Sequence, residues 1–149
     1  MRVPQPVLPA RNPSEILVFV NSDSPDRQLA DEVCRILQAE GIGYSTPPLV
    51  DESTRAADVR ADLELNLTTC DGLIVVYGAT PVTWVRRQLA QGRKILSQRN
   101  EPLSALGLVE GPPADKQGVG YQLPNMRTLD CRGGLRLDAV REFLAALRR

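Results

Sequence analysis

A chain of 149 residues, 42% hydrophobic and 24% charged, has the composition of one globular domain; it excludes a wholly disordered segment and is too short for two full cores. Eighteen basic residues balance eighteen acidic ones, so no overall field draws nucleic acid or an anionic membrane. Histidine is absent, which removes the usual general base near neutral pH and the commonest metal ligand.

Residues 1–14 carry Pro4, Pro6, Pro9 and Pro13 without periodicity and read as an extended leader or linker ahead of a single domain over 15–149. They lack the uninterrupted apolar core of a signal peptide, and no stretch of the chain approaches a membrane span. Cys34, Cys70 and Cys131 are widely spaced and odd in number, with no CxxC pair. They read as free thiols in a reducing compartment, and a cytoplasmic protein without a metal site is expected.

The first strand is predicted at residues 16–20 (ILVFV), apolar throughout and therefore central. The polar turn NSDSPD follows, with Ser24 as helix cap, Pro25 in the first turn and Asp26 near the positive helix end. Leu29, Val33, Ile36 and Leu37 give that helix its buried stripe, and Gly41 stops it. A weaker strand at 42–46 is closed by Pro47 and Pro48, which places it toward a sheet edge. A loop containing Asp51 and Glu52 leads to a second helix over 54–69, with Val59, Leu63, Asn66, Leu67 and Cys70 on or near one face and Asp58, Asp62 and Glu64 outward.

The third strand, residues 73–77 (LIVVY), is again apolar and runs into a helix that Thr80 caps and Pro81 starts, continuing to about Arg99. A fourth strand is predicted at 103–109, a Gly/Pro-rich connection at 111–124, a fifth strand at 126–131 and a closing amphipathic helix through Leu137, Val140, Phe143, Leu144 and Leu147. Alternation of this kind calls for an α/β, flavodoxin-like three-layer sandwich: a five-stranded parallel sheet in the order 2-1-3-4-5 with helices on both faces. Only the 111–124 connection stands where a fourth crossover helix would sit.

Several chemistries of this architecture fail on their residues. The loop after the first strand has no glycine cluster to cradle phosphate. A phosphoacceptor domain needs an aspartate at the end of the third strand, where this chain has Tyr77-Gly78-Ala79. Aromatics, at 4%, leave little for flavin stacking.

The stretches VFVNSDSPDRQLADEVCRILQAEGI and DGLIVVYGATPVTWVRRQLA resemble a Toll/interleukin receptor (TIR) domain of the bacterial type, over most of residues 16–147. Trp84-Val85-Arg86-Arg87-Gln88-Leu89 resembles that family's tryptophan-containing helix motif, and residues 47–53 stand where its loop after the second strand belongs. The resemblance implies two functions. Some TIR domains cleave NAD at the nicotinamide–ribose bond with a glutamate four residues after the tryptophan, and others are docking modules without chemistry. The glutamate position here is Gln88. An oxocarbenium-like transition state needs a carboxylate nearby, and a neutral amide supplies no negative charge.

The favoured expectation is therefore a TIR-like interaction module, of a bacterial immune or regulatory system, with a degenerate NAD-hydrolase site and no catalytic residue. It would dock protein partners, other TIR-like domains or itself, through Pro47, Pro48, Asp51, Glu52, Arg86 and Arg87, and would self-associate weakly. The alternative is an NAD nucleosidase or related nucleotide-binding domain, with NAD held by Asn21, Ser22, Tyr77, Trp84 and Gln88. Plainer readings stand beside these: Trp84 as a core or groove residue, Gln88 as a solvated helix residue, and Arg86, Arg87, Arg93 and Lys94 as a solvated basic face. A flavodoxin-like domain that binds a small metabolite is a third option.

Overall fold

The computed structural model describes residues 15–48 and 50–148. The proline-rich leader, and Leu49 of the loop after the second strand, lie outside the described residues. The elements are β1 (Leu17–Asn21), α1 (Arg27–Ala39), β2 (Gly43–Ser45), α2 (Ala56–Thr69), β3 (Gly72–Tyr77), α3 (Val82–Leu96), β4 (Ala105–Glu110), β5 (Met126–Asp130) and α4 (Leu137–Leu147), with a 3-10 turn (Ser24–Asp26) before α1. The sheet is wholly parallel in the order β2-β1-β3-β4-β5. This is the α/β architecture and strand order the sequence predicts, with each boundary shifted by no more than three residues.

The two apolar runs fall in the middle of the sheet because only a strand covered on both faces can be apolar at every position. All six residues of β3 are buried, whereas three-residue β2 at the edge has none fully buried. Side chains alternate between two cores. Val18, Val20, Ile74 and Val76 meet α1 and α4 on one face. Phe19, Leu73, Val75 and Tyr77 meet α2 and α3 on the other. The 111–124 connection stays without helix or strand and sends Val119 and Leu123 into this second core.

Two predicted caps are corrected. Asp23, not Ser24, caps the 3-10 turn by accepting from the Ser24 amide at 2.9 Å. α3 begins after Pro81 with no side-chain cap, while Thr80 is buried and its hydroxyl lies 3.5 Å from Asp23 Oδ2. Asp26 stands at the N-cap of α1, as expected, but its side chain makes no cap hydrogen bond there. Its carboxylate accepts the amides of Gly78 (2.9 Å), Ala79 (2.6 Å) and Thr80 (3.1 Å) and so fixes the turn between β3 and α3. Long-range hydrogen bonding to a buried carboxylate outcompeted the local capping pattern.

Candidate functional site

The strand order reverses direction at β1 and β3, where α1 leaves to one face and α3 to the other, and such a switch point opens a crevice outside the strand ends. Here a cleft of about 820 Å³ lies beyond the carboxyl ends of β1 and β2. Its floor and walls include Phe19, Asn21, Ser22 and Asp23 from β1 and its turn, Pro47 and Pro48 after β2, Val59 and Leu63 of α2, and Trp84, Arg87, Gln88 and Gln91 of α3. The size is that of a small-molecule or cofactor site.

Asn21 and Gln88 meet in this cleft. Asn21 is buried at the end of β1, and its Nδ2 donates to Gln88 Oε1 at 2.9 Å. The amide is therefore engaged by a neighbouring strand, and the solvated-residue reading of Gln88 does not describe it. Trp84 is half-buried, packs on the second core and lines the cleft one helical turn earlier, so it serves both as core and as wall. Ser22 joins them on the rim.

Tyr77 does not. It is buried on the second face, its hydroxyl donates to the Gln117 carbonyl at 2.6 Å, and it is absent from the cleft lining. Burial raises its pKa above the ordinary phenol value, with Glu110 adding to the effect. Of the expected nucleotide contacts, Asn21, Ser22, Trp84 and Gln88 are thus brought together and Tyr77 is turned to the neighbouring connection.

The expected docking residues divide in the same way. Pro47, Pro48 and the exposed Arg87 lie on the cleft. Asp51 and Glu52 are exposed, but the Asp51 carboxylate is occupied within its own turn, accepting from Ser53 N (2.9 Å), Ser53 Oγ (2.6 Å) and Thr54 Oγ1 (3.1 Å). Those bonds hold its pKa below the usual carboxylate value. Arg86 donates to the Val119 carbonyl at 2.9 Å and so belongs to the fastening of the 111–124 connection.

Two charged residues that local pattern did not single out, Arg27 and Arg60, join the expected Arg87 here. Arg27 at the start of α1, Arg60 on α2 and Arg87 on α3 all line the cleft, and among the described residues none of their guanidinium groups has an ion pair or hydrogen bond. Asp23, Asp31 and Asp62 also line it; Asp23 caps Ser24 and Asp62 accepts from Asn66 Nδ2 at 3.1 Å. No carboxylate occupies the α3 position held by Gln88. No cluster of three or more histidine, cysteine or acidic side chains that could hold a metal occurs among the described residues.

No protein-family model and no curated protein matches this chain. A solved structure does. It is a fungal multi-domain GH3 beta-N-acetylglucosaminidase with a GCN5-related glucosamine N-acetyltransferase region, matched at a TM-score of 0.55 and 15% identity over 97% of this chain. This chain spans 15% of that protein's length. At such low identity the likeness concerns the path of the backbone and carries nothing about the cleft. No helix among the described residues is long and apolar enough to cross a membrane.

Proposed function

We propose that this chain is a TIR-like docking module of a bacterial immune or regulatory system, working in the cytoplasm, with a cleft that descends from an NAD-hydrolase site and no longer hydrolyses. The observation that carries the reading is Gln88: it lies in the cleft four residues after Trp84 and is held by Asn21, with an amide where the resemblance implies a glutamate. Losing one preorganised charged group at such a centre costs about two to three orders of magnitude in rate. The expected result with NAD is nicotinamide release at the uncatalysed level. Robust turnover that Gln88→Ala abolishes would overturn the proposal.

Docking is the part of the reading that the rim supports, through Pro47, Pro48 and Arg87. Contacts of that size make small, transient interfaces. Sedimentation is expected to show a monomer when dilute and reversible self-association at high concentration, weakened by Arg87→Glu. A strictly monomeric chain at every concentration would remove the homotypic form of the claim.

A second reading has its own support. The guanidinium groups of Arg27, Arg60 and Arg87 line the cleft beside Asp23, Asp31 and Asp62 and have no side-chain partner among the described residues, which leaves their donors for a phosphate-bearing nucleotide. Calorimetry with NAD and with ADP-ribose separates the two. Heat that disappears in Arg60→Ala supports nucleotide binding, and absence of heat with both ligands supports docking alone.

A further inference from the structure

The segment between β4 and β5 is fastened in an unusual way. Among the described residues, no backbone–backbone hydrogen bond involves residues 112–122. Side chains hold it instead. Lys116 Nζ donates to the carbonyls of Tyr77 (2.7 Å), Gly78 (2.9 Å) and Gly111 (2.6 Å). Tyr77 Oη donates to the Gln117 carbonyl, and Arg86 to that of Val119. Beyond these ties it is held by Val119 and Leu123 in the second core, and a segment with no backbone ladder opens at lower free energy than the sheet it covers.

We propose that residues 111–124 form a strap latched by the Lys116 ammonium, and that its release loosens the β3–α3 turn and with it the Trp84–Gln88 wall of the cleft. The coupling is geometric. Lys116 grips the carbonyls of residues 77 and 78, while Asp26 grips the amides of 78, 79 and 80. The turn that launches α3 is thus held by an ammonium through its oxygens and a carboxylate through its nitrogens. Arg86, which also ties the strap, lies on α3 between Trp84 and Gln88. Opening the strap removes one of the two grips on the turn and one tie on the helix.

The identity of residue 116 fits this role. Sixteen of the eighteen basic residues are arginine, and the two lysines are Lys94, exposed on α3, and Lys116. Three carbonyls converging on one point suit a compact ammonium with three donors, whereas a planar guanidinium cannot aim three N–H groups at a single centre. The ammonium also lies 4.0 Å from the Tyr77 ring centroid. Partial burial draws its pKa below the usual lysine value; Asp26 and Glu110 oppose that shift and Arg132 adds to it. The charge therefore bears a desolvation cost in the closed state, as suits a latch that can let go.

Hydrogen exchange on the full chain tests the proposal, independently of the function proposed above. In Lys116→Ala the hydrogen-bonded amides of Gly111 and of residues 78–80 are expected to exchange at least tenfold faster, with β1 and β4 unchanged. Propylammonium, which replaces the atoms removed, restores protection, and sodium at equal ionic strength does not. Unchanged exchange at these amides, equal rescue by sodium, or loss of protection throughout the sheet would each overturn the latch. The unsubstituted protein gives a second measurement. An amine-acetylating ester is expected to modify Lys116 at least tenfold more slowly than Lys94, and protein acetylated at Lys116 to show the same fast exchange at Gly111 and 78–80. Equal rates at the two lysines, or undiminished protection of these amides after acetylation, would overturn it as well.

Discussion

A carboxylate that gives up almost all its water needs hydrogen bonds in return, and Asp26, 3% exposed, finds three in the amides of one turn. Gly78 is part of the same arrangement, since a Cβ there would run into Asp26 Oδ1. Asp26→Ala leaves three amides without their acceptor and is expected to cost about 2–4 kcal/mol, as charge-assisted bonds to buried donors do. Urea denaturation reads this as a lower midpoint at unchanged slope. Gly78→Ala is expected to destabilise comparably, by pushing the carboxylate away. The double substitution should cost less than the sum by at least about 1 kcal/mol, because Asp26→Ala makes room for the new methyl. Strict additivity would show that the two residues do not share one site. Little of this could be read from the sequence. In SPDR an aspartate looks like a helix-start residue, and its partners lie 52 to 54 positions away. Thr80 misleads for the same reason, its amide being taken by Asp26. Gln88 was singled out by its spacing from Trp84 and does line the cleft, though its bond to Asn21, 67 positions away, was not legible.

At the level of elements, legibility followed burial contrast. β1 and β3 stood out because both faces of each are covered, and β2 was placed at the edge by the prolines that follow it. α2 is the weak element. Leu67 alone is fully buried, Val59 and Leu63 are half-buried, and Leu65 is 60% exposed. Its last turn is held from outside, by Arg99 Nη1 donating to the carbonyls of Leu67 (2.8 Å) and Cys70 (2.7 Å). A helix anchored by so little apolar surface opens locally before the core does. α2 is expected to show the fastest amide exchange of the four helices, and Arg99→Ala to speed exchange at 66–69 while leaving α1 unchanged. Protection of α2 equal to that of α1 would refute this. Since α2 supplies Arg60 and one wall of the cleft, that mobility belongs to the site as well. The strap was illegible for a different reason: its order comes from long-range side-chain ties, which leave no periodicity. The scarcity of lysine was the one trace in the sequence.

For the molecule as a whole, the two cores share a titration that ties stability to alkaline pH. Cys34 belongs to the first core and Cys70 to the second, and all three cysteines are free and buried. Burial pushes the Cys34 thiol up to about 11, with Asp31 adding to it, and burial pushes Cys70 up to about 11 against the opposing charge of Arg99. A thiol whose pKa is raised in the folded state binds its proton more tightly there than in the unfolded chain. Its stabilisation is therefore complete below the unfolded value of 9.0 and is lost as pH rises through about 11. The expected loss by pH 10.5 is on the order of 1–2 kcal/mol per thiol. Tyrosine and lysine also titrate in this range, so the informative comparison is with Cys34→Ala and Cys70→Ala, each measured by urea denaturation at pH 8 and pH 10.5. Each variant is expected to be less stable than the unsubstituted chain at pH 8 and to lose less on going to pH 10.5. An identical loss in all three would place the alkaline sensitivity elsewhere. The same burial makes the thiols slow to alkylate at neutral pH in the native protein and fast in denaturant. Of the two, Cys70 should be the first to react when α2 opens, because it lies at the C-cap of that helix and its carbonyl is tied to Arg99.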